Sequence, residues 1–121
     1  MSNSLPTEIQ ALQEELCLQI ASSMPKGWES VRFHYEHYPT KSETHEMNTS
    51  SCVINGREQE YDLTLDAMDL LLEIKRVIEQ AGQEPWTHLE FNLSADGKYK
   101  MEFLYGVPPL AAAHIAMSQE P

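Results

Sequence analysis

Residues 86–106 read WTHLEFNLSADGKYKMEFLYG, and the fold turns on how this stretch pairs with itself. Apolar and polar residues alternate on both sides of an Ala-Asp-Gly turn signal, which is the period of half-buried strands. Leu89, Phe91 and Leu93 share a face of the first arm, and Tyr99, Met101, Phe103 and Tyr105 share a face of the second. Directly opposed residues in an antiparallel pair point to the same side of the sheet. A two-residue Asp96-Gly97 turn would set Leu93 opposite Lys100 and send one apolar row into water. A three-residue loop, Ala95-Asp96-Gly97, with Gly97 left-handed in a bulge, instead pairs Leu93 with Tyr99, Phe91 with Met101 and Leu89 with Phe103. The apolar pattern selects that register. It also sets Asn92 opposite Lys100 and Glu90 opposite Glu102 on the outer face.

The hairpin needs a cover for its apolar face, and two helices upstream supply it. Leu5, Ile9, Leu12, Leu16 and Ile20 recur at helical spacing over residues 5–24, with Thr7 and Gln10 fitting a capping box and Pro25 and Gly27 closing the segment. Ser4 before Pro6 allows an earlier start. A strand follows, with Val31, Phe33 and Tyr35 on one face and Arg32, His34 and Glu36 on the other. Two weaker strands are expected near 43–54 and 57–62, joined by the Asn55-Gly56 hairpin signal. The second helix spans 64–81 and stops at Gly82; Leu63, Ala67, Leu70, Leu71, Ile74, Val77 and Ile78 form its broad apolar side. Leu65, Met68 and Leu72 make a second apolar patch, so this helix packs on both the sheet and a neighbour, the first helix before a homodimer mate. The expected fold is α+β: two layers, two long helices on one face of an antiparallel sheet, in the order α-β-β-β-α-β-β. Residues 1–121 read as one domain with its core in 5–106, and 107–121, opened by Pro108-Pro109, as a tail or short helix.

Eight basic residues stand against 19 acidic ones, a net charge of −11. Direct binding to nucleic acid or an anionic membrane is therefore disfavoured, because the dominant electrostatic force would be repulsive. A basic protein partner suits this charge, although acidity also simply aids solubility. No run approaches the roughly 18 apolar residues of a membrane span, and the start MSNSLPTEIQ lacks the basic and apolar regions of a signal peptide. A cytoplasmic location is expected. Cys17 and Cys52 lack metal spacing and read as reduced thiols, with Cys17 half-buried on its helix.

Candidate chemistry is sparse. His34 and His37 lie three apart on a strand, point to opposite faces and cannot share an ion. His34, His88 and Glu90 could meet on the outer sheet face if their strands are neighbours; surface histidines on a solvated sheet explain them more simply. That face is where a small metal-dependent or hydrolytic enzyme would have its site, and it is the alternative reading. There is no Gly-x-Ser-x-Gly elbow, Ser50, Ser51 and Cys52 have no histidine placed by motif, and the glycines are too scattered to cradle phosphate. No catalytic, cofactor or metal residues are assigned. The strongest surface feature is Asp62, Asp66, Asp69 and Glu73, spaced four, three and four on one side of the second helix. Aligned carboxylates are most simply a solvated face, and functionally a docking surface that steers a basic partner. Trp28, Trp86, Tyr38 and Tyr61 are candidate interface anchors. Trp28 and Trp86 each begin a strand, so packing at the core edge is the plainer assignment.

Three segments carry a family resemblance: MPKGWESVRFHYE at 24–36, LDAMDLLLEIKRVIEQAG at 65–82 and PWTHLEFNLSADGKYKMEFLYG at 85–106. Together with the first helix they resemble the YezG-like family of bacterial immunity proteins over residues 5 to 106. Residues 40–56 and the Pro- and Ala-rich tail depart from the pattern. The resemblance implies an antitoxin, encoded beside a polymorphic toxin, that binds the toxin domain (often a nuclease) and blocks it without catalysis. No individual contact is carried over, because partner-binding residues vary in such families. A monomer and a homodimer both remain compatible.

Overall fold

The computed structural model describes residues 5–118. The chain runs α1 (Leu5–Ser23), β1 (Trp28–Pro39), β2 (Thr44–Ile54), β3 (Arg57–Glu60), α2 (Leu65–Gln80), β4 (His88–Ser94), β5 (Tyr99–Leu104) and α3 (Pro109–Ser118). All strand pairs are antiparallel, in the spatial order β3-β2-β1-β4-β5. The β4–β5 register is the one the apolar pattern selects: Leu93 faces Tyr99, Phe91 faces Met101, Leu89 faces Phe103, Asn92 faces Lys100 and Glu90 faces Glu102. Gly97 takes φ +93°, and its N–H bonds Ser94 O at 2.9 Å. At the β2–β3 hairpin Asn55 and Gly56 are both left-handed, φ 51° and 78°, as a two-residue turn with the strands' own twist requires.

Val31, Phe33 and Tyr35 of β1 and Leu89, Phe91 and Leu93 of β4 share one buried cluster with Leu16 and Ile20 of α1 and Ala67, Leu71, Ile74 and Ile78 of α2. Both long helices thus cover the same sheet face. Thr64 caps α2, its hydroxyl accepting the Ala67 N–H at 3.1 Å. Met68 and Leu72 are half-buried against the core, whereas Leu65 stays exposed. Trp86 is fully buried, stacked on Phe103 and edge-on to Tyr35, and Trp28 is half-buried against the core. Cys17 and Cys52 are both free thiols, the first half-buried.

The structure adds to the expected two layers. The segment after the double proline is a helix, and its first turn sits on the sheet face opposite α1 and α2. Pro109 opens α3, where a missing N–H costs nothing. Pro108 and Ala111 are buried there, and so are Glu36 and His88 beneath them. The polar face of β1 was expected in water; at Glu36 it is sealed instead.

Candidate functional site

Two polar systems are candidates. The first is on the outer face. Glu36, with no exposed surface, accepts four hydrogen bonds: from His34 Nε2 (2.6 Å), His45 Nε2 (2.8 Å), Leu110 N (3.0 Å) and Ala111 N (3.1 Å). The two backbone donors are free N–H groups of the first turn of α3, so this carboxylate caps a helix that begins more than seventy residues later in the chain. Burial pushes the Glu36 carboxyl up, but these donors outweigh it and hold it below the ordinary range. His34 also bonds Glu90 through Nδ1. Both its ring nitrogens thus face carboxylates, which as anions only accept, and this favours the imidazolium. Burial pushes His34 down, and Glu36 and Glu90 together bring it above its usual value.

Neighbouring strands do bring His34, His88 and Glu90 together, with the His34 and His88 rings 6.0 Å apart, and His88 is buried where a solvated surface histidine is the simpler expectation. The chemistry of this group is different from that of a ligand set. His34 has no free lone pair to offer, and His88 Nδ1 lies 2.9 Å from Thr87 Oγ1. Among the described residues no three His, Cys, Asp or Glu side chains are arranged to hold a metal ion. His37 points to the other face, as the strand parity requires, and takes the buried Lys75 ammonium on its carbonyl at 2.7 Å and on Nδ1 at 3.0 Å. Burial pushes Lys75 down and His37 down. A shallow hollow of about 390 Å³ opens beside His34, floored by Arg32, Thr49, Ser51 and Asn92. Ser51 accepts from Arg32 there, Ser50 bonds Asn48, and the Cys52 thiol reaches only the Glu60 carbonyl, so none of the three faces a base.

The second system is the carboxylate row of α2. Asp62, Asp66 and Asp69 are exposed, but α2 starts at Leu65 after its Thr64 cap, so Asp62 lies in the segment before the helix and not on it. Glu73 differs: Arg76 forks onto both of its oxygens, with Nε at 2.8 Å. The row is thus three free carboxylates and one neutralised pair. At its middle it meets the sheet. The hydroxyl of buried Tyr35 donates to Glu46 of β2, and its acidity is suppressed by burial first, then by Glu46 and by Asp69. Glu46 acts on this hydroxyl by a hydrogen bond and Asp69 only through its charge. Spacing alone points to neither Glu46 nor His45, whose partners come from other strands. Lys75 did carry a signal, since it falls at helical spacing among Leu71, Ile74 and Ile78 on the apolar side.

A family model for the YezG-like immunity protein matches residues 9–108. The chain belongs to the YezG-like immunity protein family. The match takes in α1 from Ile9 onward, the whole sheet and α2, and so includes the three segments whose motifs carry the resemblance. A curated relative, the type VII secretion system protein EsaG of Staphylococcus aureus (strain NCTC 8325 / PS 47), is 26% identical over 115 residues, covering 81% of this chain and 68% of the relative. All of α3 lies beyond the family match, so the Glu36 cap joins the YezG-like core to a segment outside it.

Proposed function

We propose that this chain is an antitoxin that binds one cognate toxin domain, a basic nuclease, and occludes its substrate groove sterically and electrostatically. Membership of an immunity protein family over residues 9–108 carries this reading. The net charge of −11 supports it, because enzymes that hold phosphate backbones are basic and an acidic surface competes for the same groups. The likeness to a type VII secretion system protein suits a toxin that its producer must survive before export. The protein acts in the cytoplasm as one domain over residues 1–121, as a monomer or homodimer, with no cofactor and no catalysis of its own. Asp62, Asp66 and Asp69 are the proposed contact residues; Glu73 is retained at the end of the row, already paired to Arg76. His34 and His45 are committed to Glu36, the carboxylate that caps α3, which weighs against a hydrolytic site there.

The test is co-expression with the toxin domain encoded beside this gene. Rescue of growth, and a stable complex of the purified pair that has lost nuclease activity, are expected. Toxicity unchanged by co-expression, with no complex formed, overturns the reading.

A further inference from the structure

The sheet has an open edge that lies beside the carboxylate row. Strand β3 pairs β2 only from Ser51 to Ile54 and then leaves the sheet, because Leu63 is buried and Thr64 caps α2. Toward its N-terminus β2 pairs β1 alone, from Thr44 to Ser50. Backbone direction alternates along a strand. Tyr61 N donates to Ser50 O across this edge at 3.4 Å, so Glu46 and Asn48 turn their N–H and C=O outward as well. Among the described residues no strand lies on that side. An exposed run of this kind invites a further strand unless it is blunted.

We propose that Thr44–Thr49 of β2 receives an extended basic segment of the partner as a sixth strand. This rests on the immunity reading and names its contact surface. Charge decides the occupant. On the helix side the edge is bordered by Glu46, which accepts the Tyr35 hydroxyl, with Asp69 acting on the same tyrosine only through its charge, and Asp62 stands where the chain leaves the sheet. An incoming strand with Lys or Arg at alternate positions sets its cations on these carboxylates while its backbone bonds Glu46 and Asn48. A second copy of this chain would set Glu46 and Asp69 against their own kind. The opposite edge, β5, carries Lys100 beside Glu102 and follows Lys98, and favours a basic strand less.

The test uses a catalytically inactivated variant of the toxin domain encoded beside this gene. Asn48→Pro deletes one outward N–H at an edge, where proline is tolerated, and Asn48→Ala keeps that N–H and removes the side chain. Asn48→Pro is expected to weaken the complex about tenfold, the worth of a lost strand hydrogen bond with its neighbours, while Asn48→Ala stays within about threefold. Hydrogen exchange on the wild-type pair must also show the Glu46 and Asn48 amides protected on complex formation, and it decides the matter should the proline variant fail to fold. Wild-type affinity in a folded Asn48→Pro variant, or unprotected amides in the complex, overturns the proposal while leaving the immunity reading intact. So does a dimer of the chain alone with these amides already protected, which would make the occupant a second copy. A wild-type protein that does not bind the toxin domain at all overturns both.

Discussion

Glu36 shows how much one side chain can organise. A buried carboxylate is costly unless its lone pairs are filled, and here two imidazoles and two helix amides fill them. Glu36→Gln keeps the shape but loses the charge, and the variant should be less stable by about 2 kcal/mol, in the range of hydrogen bonds to charged groups. The pH dependence has a definite sign. Glu36 is depressed in the folded protein, so its contribution is full above the ordinary carboxyl value of 4.5 and is lost as pH falls through the lower folded value. His34 is raised, so its contribution is full below 6.5 and is lost as pH rises through the higher folded value. The stability gap between wild type and Glu36→Gln should therefore be widest between 4.5 and 6.5 and narrow on either side. Urea unfolding of both proteins across pH measures this directly, and a gap independent of pH would refute the charged cap.

At the scale of elements, two of the three hairpins, β2–β3 and β4–β5, are fixed by different turns for one reason, the right-handed twist of the strands they join. Gly97 and Gly56 hold left-handed conformations, at φ +93° and +78°, and a Cβ at either would meet nothing within 4 Å. Gly97→Ala and Gly56→Ala should each cost about 1 kcal/mol through backbone strain alone. Denaturant midpoints should fall with unchanged slopes, since no surface burial is altered. A loss of several kcal/mol at either site would mean that the loop packs more closely than the structure shows. Helix α3 is a different case: its sequence has no charged cap of its own, and Glu36 supplies it from β1. Glu36→Gln should therefore also raise hydrogen exchange in α3 more than in α2, whose Thr64 cap is local.

At the scale of the whole molecule, charge is distributed unevenly. Asp66 and Asp69 on α2 and Asp62 just before it pair with no cation among the described residues, whereas the outer sheet face mixes Arg32, paired with Glu58, with Lys100 and Glu102. Opposite charges within a Debye length, about 8 Å at physiological salt, largely cancel. The triple variant Asp62→Asn, Asp66→Asn, Asp69→Asn should slow association with the toxin domain by roughly tenfold at low salt, converging on wild type as salt rises. Folding stability should change little, because these positions are exposed. The matched control neutralises Glu8, Glu15 and Glu102, which are also exposed; Glu36 cannot serve, being buried under α3. Stopped-flow association traces compare the two. A control that slows binding while the helix variant binds normally would move the interface away from α2.

Sequence by itself determined what depends on local periodicity. The helix spans, the strand parity of β1, β4 and β5, and the three-residue hairpin loop all follow from which residues must avoid water together, and that condition is met within a dozen residues. The opposed faces of His34 and His37 belong to the same class. Only the tertiary structure decided what depends on neighbours distant in the chain. Glu36 reads as solvent-facing until α3 closes over it. Glu73 is the exception, a local pairing that spacing itself could show: Arg76 stands three residues on along the same helix and neutralises it. Lys75 is buried because His37 and Trp86 stand where its ammonium arrives. The open edge of β2 exists because β3 is cut short by the burial of Leu63, a pairing between elements that no spacing encodes.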